Sequence, residues 1–398
     1  MLPLQINPPS DSKWTPEYPW ICLYMADKSH FITFYPVGNG DCILIQFSDG
    51  ATMMIDCNFR SEAEDEDTEL FDVLNDLLSN KLNKKSGLPY LNAFVLTHPD
   101  QDHCRNFDSK FYLGDPAEIS DSDKEDARIL IGELWYSPRI FAEHNELCAE
   151  AKALKKEAKR RMKLWADNDS HKDDLGNRIR IIGYADVDAL EDIPNDRISA
   201  AGDTVEELDG KKRSGYRFFI HAPFKKDIEG DNRNATSIIM QIRMDVGDKA
   251  DIGKVFFGGD AEWRVWAKIL EKTEDDKNLK WNLLEAPHHC SYHFFADDRE
   301  DEPEDSAIQF LGNQDGHGIV VSSSKQIKAN NDNPPCQKAK NRYIKELEGE
   351  AYFKCTNEGG TVAPVIFEIT KSGVKIFEEE KKETDKSANI GKREHLYG

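Results

Sequence analysis

Thr97-His98-Pro99-Asp100-Gln101-Asp102-His103 follows directly on the apolar run Leu91 to Leu96, and this junction constrains the fold more than any other stretch of the chain. An apolar run of that length reads as a strand, and here it delivers a cluster of metal-binding side chains at its end. Imidazole and carboxylate together suit a hard or borderline divalent ion such as zinc or manganese. Four such groups within six residues, His98, Asp100, Asp102 and His103, suit two ions better than one.

The same arrangement recurs along the chain. Val255-Phe256-Phe257-Gly258-Gly259 runs into Asp260, Leu283-Leu284-Glu285-Ala286-Pro287 into His288 and His289, and Thr52-Met53-Met54-Ile55 into Asp56. A lone Gly-Gly-Asp is an ordinary turn. Strand ends that repeatedly present Asp or His point instead to an active site along one edge of a sheet sandwich, because strands hold their loops rigidly.

At 398 residues the chain has room for a large core, and one elaborated domain is expected. It shows no positively charged leader ahead of an apolar stretch, and no apolar run approaches the roughly 20 residues that span a bilayer. A soluble, cytoplasmic protein with no membrane partner is therefore expected. Cys22, Cys42, Cys57 and Cys355 sit in apolar runs without zinc-finger spacing, as reduced core thiols do, whereas Cys104 and Cys290 each directly follow a ligand motif. The net charge of −22 argues against broad attraction to phosphate backbones. Bound divalent ions would reverse that locally.

Residues 1–29 read as an irregular arm rich in proline, 30–377 as the main domain, and 378–398 as a charged tail. Early strands are expected over Phe31 to Tyr35, Cys42 to Phe47 and Thr52 to Ile55, with Asp49-Gly50 as a hairpin turn. The acidic residues Glu62 and Glu64 to Asp67 lead into a helical stretch through Phe71, Leu74 and Leu77. The stretch from about 108 to 215, rich in charge and poor in strand signals, reads as a mainly helical insertion over the core and a candidate surface for a protein partner. Within it Leu147, Ala151, Leu154, Ala158, Met162 and Trp165 form the stripe of an amphipathic helix. Lys155, Lys156, Lys159, Arg160, Arg161 and Lys163 occupy its other faces, either as a solvated surface or as a contact for nucleic acid. Short strands then alternate with helices near Ala261 and from Cys336 to Leu347, as layered α/β construction requires.

Taken in order, these motifs resemble those of the metallo-β-lactamase fold superfamily, and within it the ComEC-like branch, named for the hydrolase domain of bacterial DNA-uptake channels. Val37-Gly38-Asn39-Gly40-Asp41-Cys42 is similar to that branch's glycine-rich first turn, His288-His289-Cys290-Ser291 to its His-His-Gly-Ser signature, and Asn234-Ala235-Thr236-Ser237 to its Asn-x-x-Ser strand. The resemblance implies a four-layer αβ/βα sandwich with its site at one edge of two facing sheets. It implies that His98 and Asp100 hold one ion, Asp102 and His103 the other, and that Asp260 bridges them. His288 or His289 would complete the second site, Asp56 would orient a ligand imidazole, and Asn234 would be a neutral oxygen donor nearby. A phosphodiesterase acting on DNA or RNA is the implied activity, with Asp102 and Asp260 at the reacting centre and His293 or His317 as leaving-group acid.

The chain departs from the pattern at several points. Cys290 replaces a glycine, which would restrict positive φ in that loop, and its thiol is a candidate for ligation or oxidation. Asn333-Pro334 stands where the branch often has His-Pro, and no His marks the usual third motif. Two further functions are compatible with the residues. One is hydrolysis of a small ester, lactone or amide in a pocket built from Trp263, Trp266, Tyr292, Phe294 and Phe295. The other is a partner-bound component of a bacterial defence system whose metal site is regulated.

Overall fold

The computed structural model describes residues 29–60, 70–142, 146–184, 190–228, 230, 232–360 and 362–377. The arm up to residue 28, the acidic residues Glu62 and Glu64 to Asp67, and the tail from 378 lie outside the described residues. The chain is a mixed α/β protein built on two large sheets. Its principal strands are β1 (His30–Phe34), β2 (Ile43–Gln46), β3 (Thr52–Ile55), β4 (Leu88–Leu96), β5 (Leu130–Tyr136), β6 (Arg178–Ile182), β7 (Ile198–Ser199), β8 (Thr204–Val205), β9 (Tyr216–Ala222), β10 (Ile239–Val246), β11 (Lys249–Phe257), β12 (Trp281–Glu285), β13 (Gln314–Ser322), β14 (Phe353–Cys355), β15 (Val365–Thr370) and β16 (Gly373–Ile376). The first sheet has the order β16-β15-β1-β2-β3-β4-β5-β6-β7, with Asn83–Lys85 paired beside β4, and the second runs from β8 through β9, β10, β11, β12 and β13 to β14.

Each sheet changes character part-way across. β1, β2 and β3 pair antiparallel, then β3, β4 and β5 pair parallel. In the second sheet β9, β10 and β11 are antiparallel, and β11, β12 and β13 are parallel. Parallel neighbours end on the same side, so the loops after β3 and β4 gather at one place and those after β11 and β12 at another.

Side chains alternate faces along a strand. Ile45, Met53 and Val95 of the first sheet therefore meet Ile242, Val255 and Leu283 of the second in a common core, together with Phe34, Phe257 and Phe367. The main helices are α1 (Gln101–Cys104), α2 (Ala149–Ala166), α3 (Trp263–Lys272), α4 (Asp305–Leu311) and α5 (Gln337–Glu346). On the far face of the first sheet, Leu44, Met54 and Phe94 cluster with Leu154, Ala158 and Trp165 of α2. On the far face of the second, Phe256, Leu284 and Val320 cluster with Trp266 of α3, Phe310 of α4 and Tyr343 of α5. With both faces covered, the central strands read as continuous apolar runs, as buried parallel strands do.

The stretch 108–215 is not an insertion over this core. It supplies β5, β6 and β7, the parallel flank of the first sheet, and β8 of the second. Charge conceals these strands in the sequence. Glu133 of β5 is fully buried, with Arg180 of β6 at 3.8 Å, so their charges answer each other inside the fold rather than marking a surface.

The basic cluster on α2 is likewise divided. Arg161 is buried, donates to Glu157 at 2.7 Å, and reaches the carbonyls of Ile131, Gly132 and Arg178 at 3.1 to 3.3 Å. Arg160 is half-buried, forked onto Glu157 and bonded to Asn177 Oδ1 and the Gly176 carbonyl. These two arginines tie the helix to β5, β6 and the chain leading into β6, and they present no face to nucleic acid. Lys156, Lys159 and Lys163 are exposed, Lys163 pairs with Asp167, and Lys155 is half-buried. A cavity of about 380 Å³ lies beside Lys159, Met162 and Lys163, and none of the ligand motifs lines it. No described helix is long and apolar enough to cross a membrane.

His221 of β9 is fully enclosed, bonds the Asn278 carbonyl at 3.0 Å through Nε2, and stacks on Phe256. Burial lowers its imidazole to about 3. The unfolded chain takes up this proton below about pH 6.5 while the folded chain does not, so stability falls as pH drops through that window. Between pH 7 and pH 5 this residue is expected to cost the fold about 2 kcal/mol. Urea midpoints at the two pH values should therefore differ less for His221→Gln than for the natural chain, and equal differences would refute the assignment.

Candidate metal centre

The ligand turn begins where β4 ends. Leu96 leads into Thr97, whose backbone N–H and hydroxyl donate to the two oxygens of Asp56, at 2.8 and 2.5 Å, across the parallel β3–β4 pair. Asp56 Oδ2 also accepts from His103 Nδ1 at 2.7 Å. That bond fixes the His103 tautomer and leaves the Nε2 lone pair facing the other way. The Thr97 hydroxyl approaches His98 Nδ1 at 3.1 Å, and Ser237 Oγ lies 3.5 Å from the same atom while accepting the Asp260 N–H at 3.2 Å. Gly40 is required at the adjoining turn, since its φ is +131° and a Cβ there would lie 2.6 Å from the Asp102 carbonyl oxygen.

Asp260, at the end of β11, is the centre of the cluster. Its Oδ1 faces His103 Nε2 at 3.1 Å and His289 Nε2 at 3.4 Å, while its Oδ2 faces His98 Nε2 at 3.6 Å and His288 Nε2 at 3.5 Å. Asp100 Oδ2 lies 3.6 Å from His98 Nε2, and Asp102 Oδ2 lies 3.4 Å from His289 Nε2. One carboxylate thus divides two sets of donors, His98, Asp100 and His288 on one side, His103, Asp102 and His289 on the other. His288 sits with His98 and Asp100, not in the second set, and both histidines of the pair face Asp260. Each set draws on loops of both sheets, the one after β4 and the one after β12, with Asp260 after β11 between them.

Among the described residues, His98 Nε2, His103 Nε2, His289 Nε2 and Asp260 Oδ1 are buried without a hydrogen bond. The three nitrogens stand 3.1 to 3.6 Å from the Asp260 carboxylate oxygens without a hydrogen bond between them. Ligand atoms around a tetrahedral ion with bonds of about 2.1 Å stand about 3.4 Å apart, and these separations match. Asp41, His103, Asp260 and His289 form a buried group whose ligand atoms all lie within 4.8 Å, and this group could hold a metal ion. Asp41 approaches from the far side of the rings, 3.6 Å from His289 Nδ1 and 3.5 Å from His103 Nδ1.

The electrostatics favour positive charge here. Burial alone would push the Asp260 carboxyl up, but the imidazoles of His288, His289, His103 and His98 outweigh it and hold the group well below its ordinary range. Burial disfavours charge on His103 and His289 too, yet the surrounding carboxylates, Asp260 first, raise both imidazoles well above theirs. His288 is lowered, by burial against the pull of Asp260. Such a field is the one a divalent cation would answer. Asp100 and Asp102 keep about a third of their side chains exposed, so the cluster opens to solvent on their side.

Several residues that sequence reasoning did not assign belong to this centre. Asp41 has a signal in the chain, an acid between a glycine turn and an apolar strand. Glu285 has another, a carboxylate inside the apolar run Leu283 to Ala286. It is buried, accepts the Gly258 N–H at 3.1 Å, and its carboxyl is pushed well up by burial and by Asp41. Arg233 donates to Asp100 Oδ1 at 2.6 Å and to the Glu146 carbonyl at 3.0 Å. Its position in a loop of mixed charge gave no cue.

Other expected residues lie apart. Asn234 engages Asn232 through its backbone N–H, and no hydrogen bond from its side chain to the cluster occurs among the described residues; Ser237 reaches the cluster instead. His293 is half-buried beside His288, ring centroids 6.0 Å apart, at the rim of the centre. His317 is exposed near the opposite end of β13, stacked on Tyr352. Cys290 has a φ of +67° despite its side chain, and follows two further left-handed residues, His288 and His289. Its thiol is fully buried, pushed well up by burial, and turned toward the Cys336 carbonyl, so it neither ligates nor offers a reactive thiolate. Asn333 Oδ1 accepts from Ser291 Oγ and the Tyr292 N–H at 2.9 and 2.8 Å, holding the end of this loop. Trp266, Tyr292, Phe294 and Phe295 are packed in the core, and Trp263 bonds Asp297 at the surface, so they form no pocket wall.

Asp56→Asn removes the charge and one of the two acceptor oxygens that serve Thr97 and His103. Metal affinity is expected to fall about 10- to 100-fold, as read by isothermal titration with manganese or zinc; unchanged affinity would show that Asp56 does not act on the ligand.

No model of a known protein family matches this chain, and no curated protein is similar to it in sequence.

Proposed function

We propose that this chain is a metal-dependent hydrolase of the metallo-β-lactamase type, a phosphodiesterase that cleaves DNA or RNA with two divalent ions, zinc or manganese. The observation that carries this reading is the division of donors by Asp260, with imidazole and carboxylate on each side of one carboxylate. The facing sheets with helices clustered on both outer faces support a four-layer sandwich of that superfamily. Two ions held there would supply a nucleophile from water near neutral pH and neutralise charge on a phosphate in line with it.

The chain's own residues would do the rest. Asp56 holds the ring nitrogen of His103 that faces away from Asp260, which orients that imidazole, and the Asp41 carboxylate lies 3.6 Å from the corresponding nitrogen of His289. Ser237 holds the Asp260 backbone. Asp100 and Asp102, on the open side, meet the substrate first. His293 at the rim is the candidate proton donor to the leaving oxygen. The aromatic residues that a small-ester pocket would need are committed to packing, which favours the phosphodiester reading.

Labelled single- and double-stranded DNA and RNA, incubated with manganese or zinc, test the proposal. Cleavage that requires the metal is expected. Bound metal without cleavage of any of these substrates would overturn the nuclease assignment and turn the search toward small-molecule esters or an activating partner.

A further inference from the structure

Cys104 and Cys148 bring their sulfur atoms within 3.7 Å of each other, directly behind the ligand turn. Cys104 ends α1, follows His103 in the chain, is fully buried, and donates its thiol hydrogen to the Asp100 carbonyl at 3.3 Å. Cys148 is half-buried and caps the 18-residue helix α2, its sulfur accepting the Ala151 N–H at 3.4 Å. Among the described cysteines it is the one that is not fully buried. A sulfur at the positive end of a long helix favours its thiolate form. Its thiol is lowered from the ordinary value chiefly by the contact with Cys104, with burial opposing, the Ala151 N–H assisting, and Glu150 opposing.

We propose that Cys104 and Cys148 form an oxidation site for hydroperoxides, and that the resulting disulfide weakens ion binding at the adjoining cluster. The Cys148 thiolate attacks the peroxide, the O–O bond breaks, and the departing oxygen leaves as water or an alcohol after taking a proton. Cys148 is then a sulfenic acid. The Cys104 sulfur displaces its hydroxyl, which leaves as water with the Cys104 proton, and the S–S bond forms. Two electrons pass from the thiol pair to the peroxide. A disulfide of about 2.05 Å in place of the 3.7 Å contact draws α1 toward the start of α2. It also removes the hydrogen held by the Asp100 carbonyl. Asp100, Asp102 and His103 all lie on or beside α1. The effect on ions rests on the metal-centre reading, whereas disulfide formation does not.

The test treats the full chain with hydrogen peroxide and follows two readouts. Non-reducing peptide mapping by mass spectrometry should find Cys104 linked to Cys148. Manganese affinity should fall at least about tenfold, the lower end of the cost of disturbing an outer-shell partner, and return with dithiothreitol. Cys148→Ser keeps an oxygen at the helix cap and should bind manganese as the untreated natural chain does, both before and after peroxide. Failure to find the linked peptide overturns the oxidation site, and a linked peptide with unchanged affinity overturns its effect on the cluster. If the reduced chain binds no manganese, the metal reading fails, and the linked peptide still decides whether the oxidation site exists.

Discussion

Replacing Asp260 by Ala is expected to cost more in metal affinity than the roughly 100-fold ceiling for an outer-shell partner, and to abolish metal-dependent cleavage. No other side chain in the chain faces four imidazole nitrogens at 3.1 to 3.6 Å among the described residues. Removing it deprives both donor sets at once. The fold should survive, because Ser237 is held to residue 260 through the backbone N–H and the flanking strand β11 packs through Val255, Phe256 and Phe257. A cooperative urea transition and an unchanged far-ultraviolet spectrum would establish that. Cleavage by the variant at the natural rate would eliminate the two-ion proposal.

The largest expected loss of stability lies elsewhere, at Arg161→Ala. Its guanidinium is 1% exposed and answers Glu157 and three backbone carbonyls between α2 and the first sheet. Breaking one side of a buried ion pair and orphaning buried carbonyls costs about 3 kcal/mol or more. Gln at Lys156, Lys159 and Lys163 should each shift stability by no more than about 0.5 kcal/mol. Urea titrations of these variants separate a structural arginine from a solvated lysine face, and an Arg161→Ala midpoint equal to the natural one would contradict the assigned role.

How much of this was readable in the chain depended on whether a residue's neighbours are local. The strand ends at Asp56, His103, Asp260 and His289 were legible because apolar runs announce strands and ligands follow them directly. β5 and β6 were not, since Glu133 and Arg180 neutralise each other only across a sheet. Arg161 looks like its lysine neighbours in sequence and differs from them only in the face of the helix it occupies. Asp41 joins the cluster because β2 runs antiparallel to β3, which brings the start of one strand to the end of the other. Cys290 misled for a different reason: tertiary packing against Cys336 holds a side chain in a conformation that local preference would give to glycine.

Asp56, His98 and His103 hang from one sheet, Asp260, His288 and His289 from the other. Any ion gripped by His103 and Asp260 is therefore a clasp between the two halves of the molecule, and its binding energy is also cohesion energy. At a free concentration about a hundred times its dissociation constant, such an ion adds about 3 kcal/mol to the folded state. Chelator would then act on this chain as heat does, prising apart two sheets whose apolar faces it never touches.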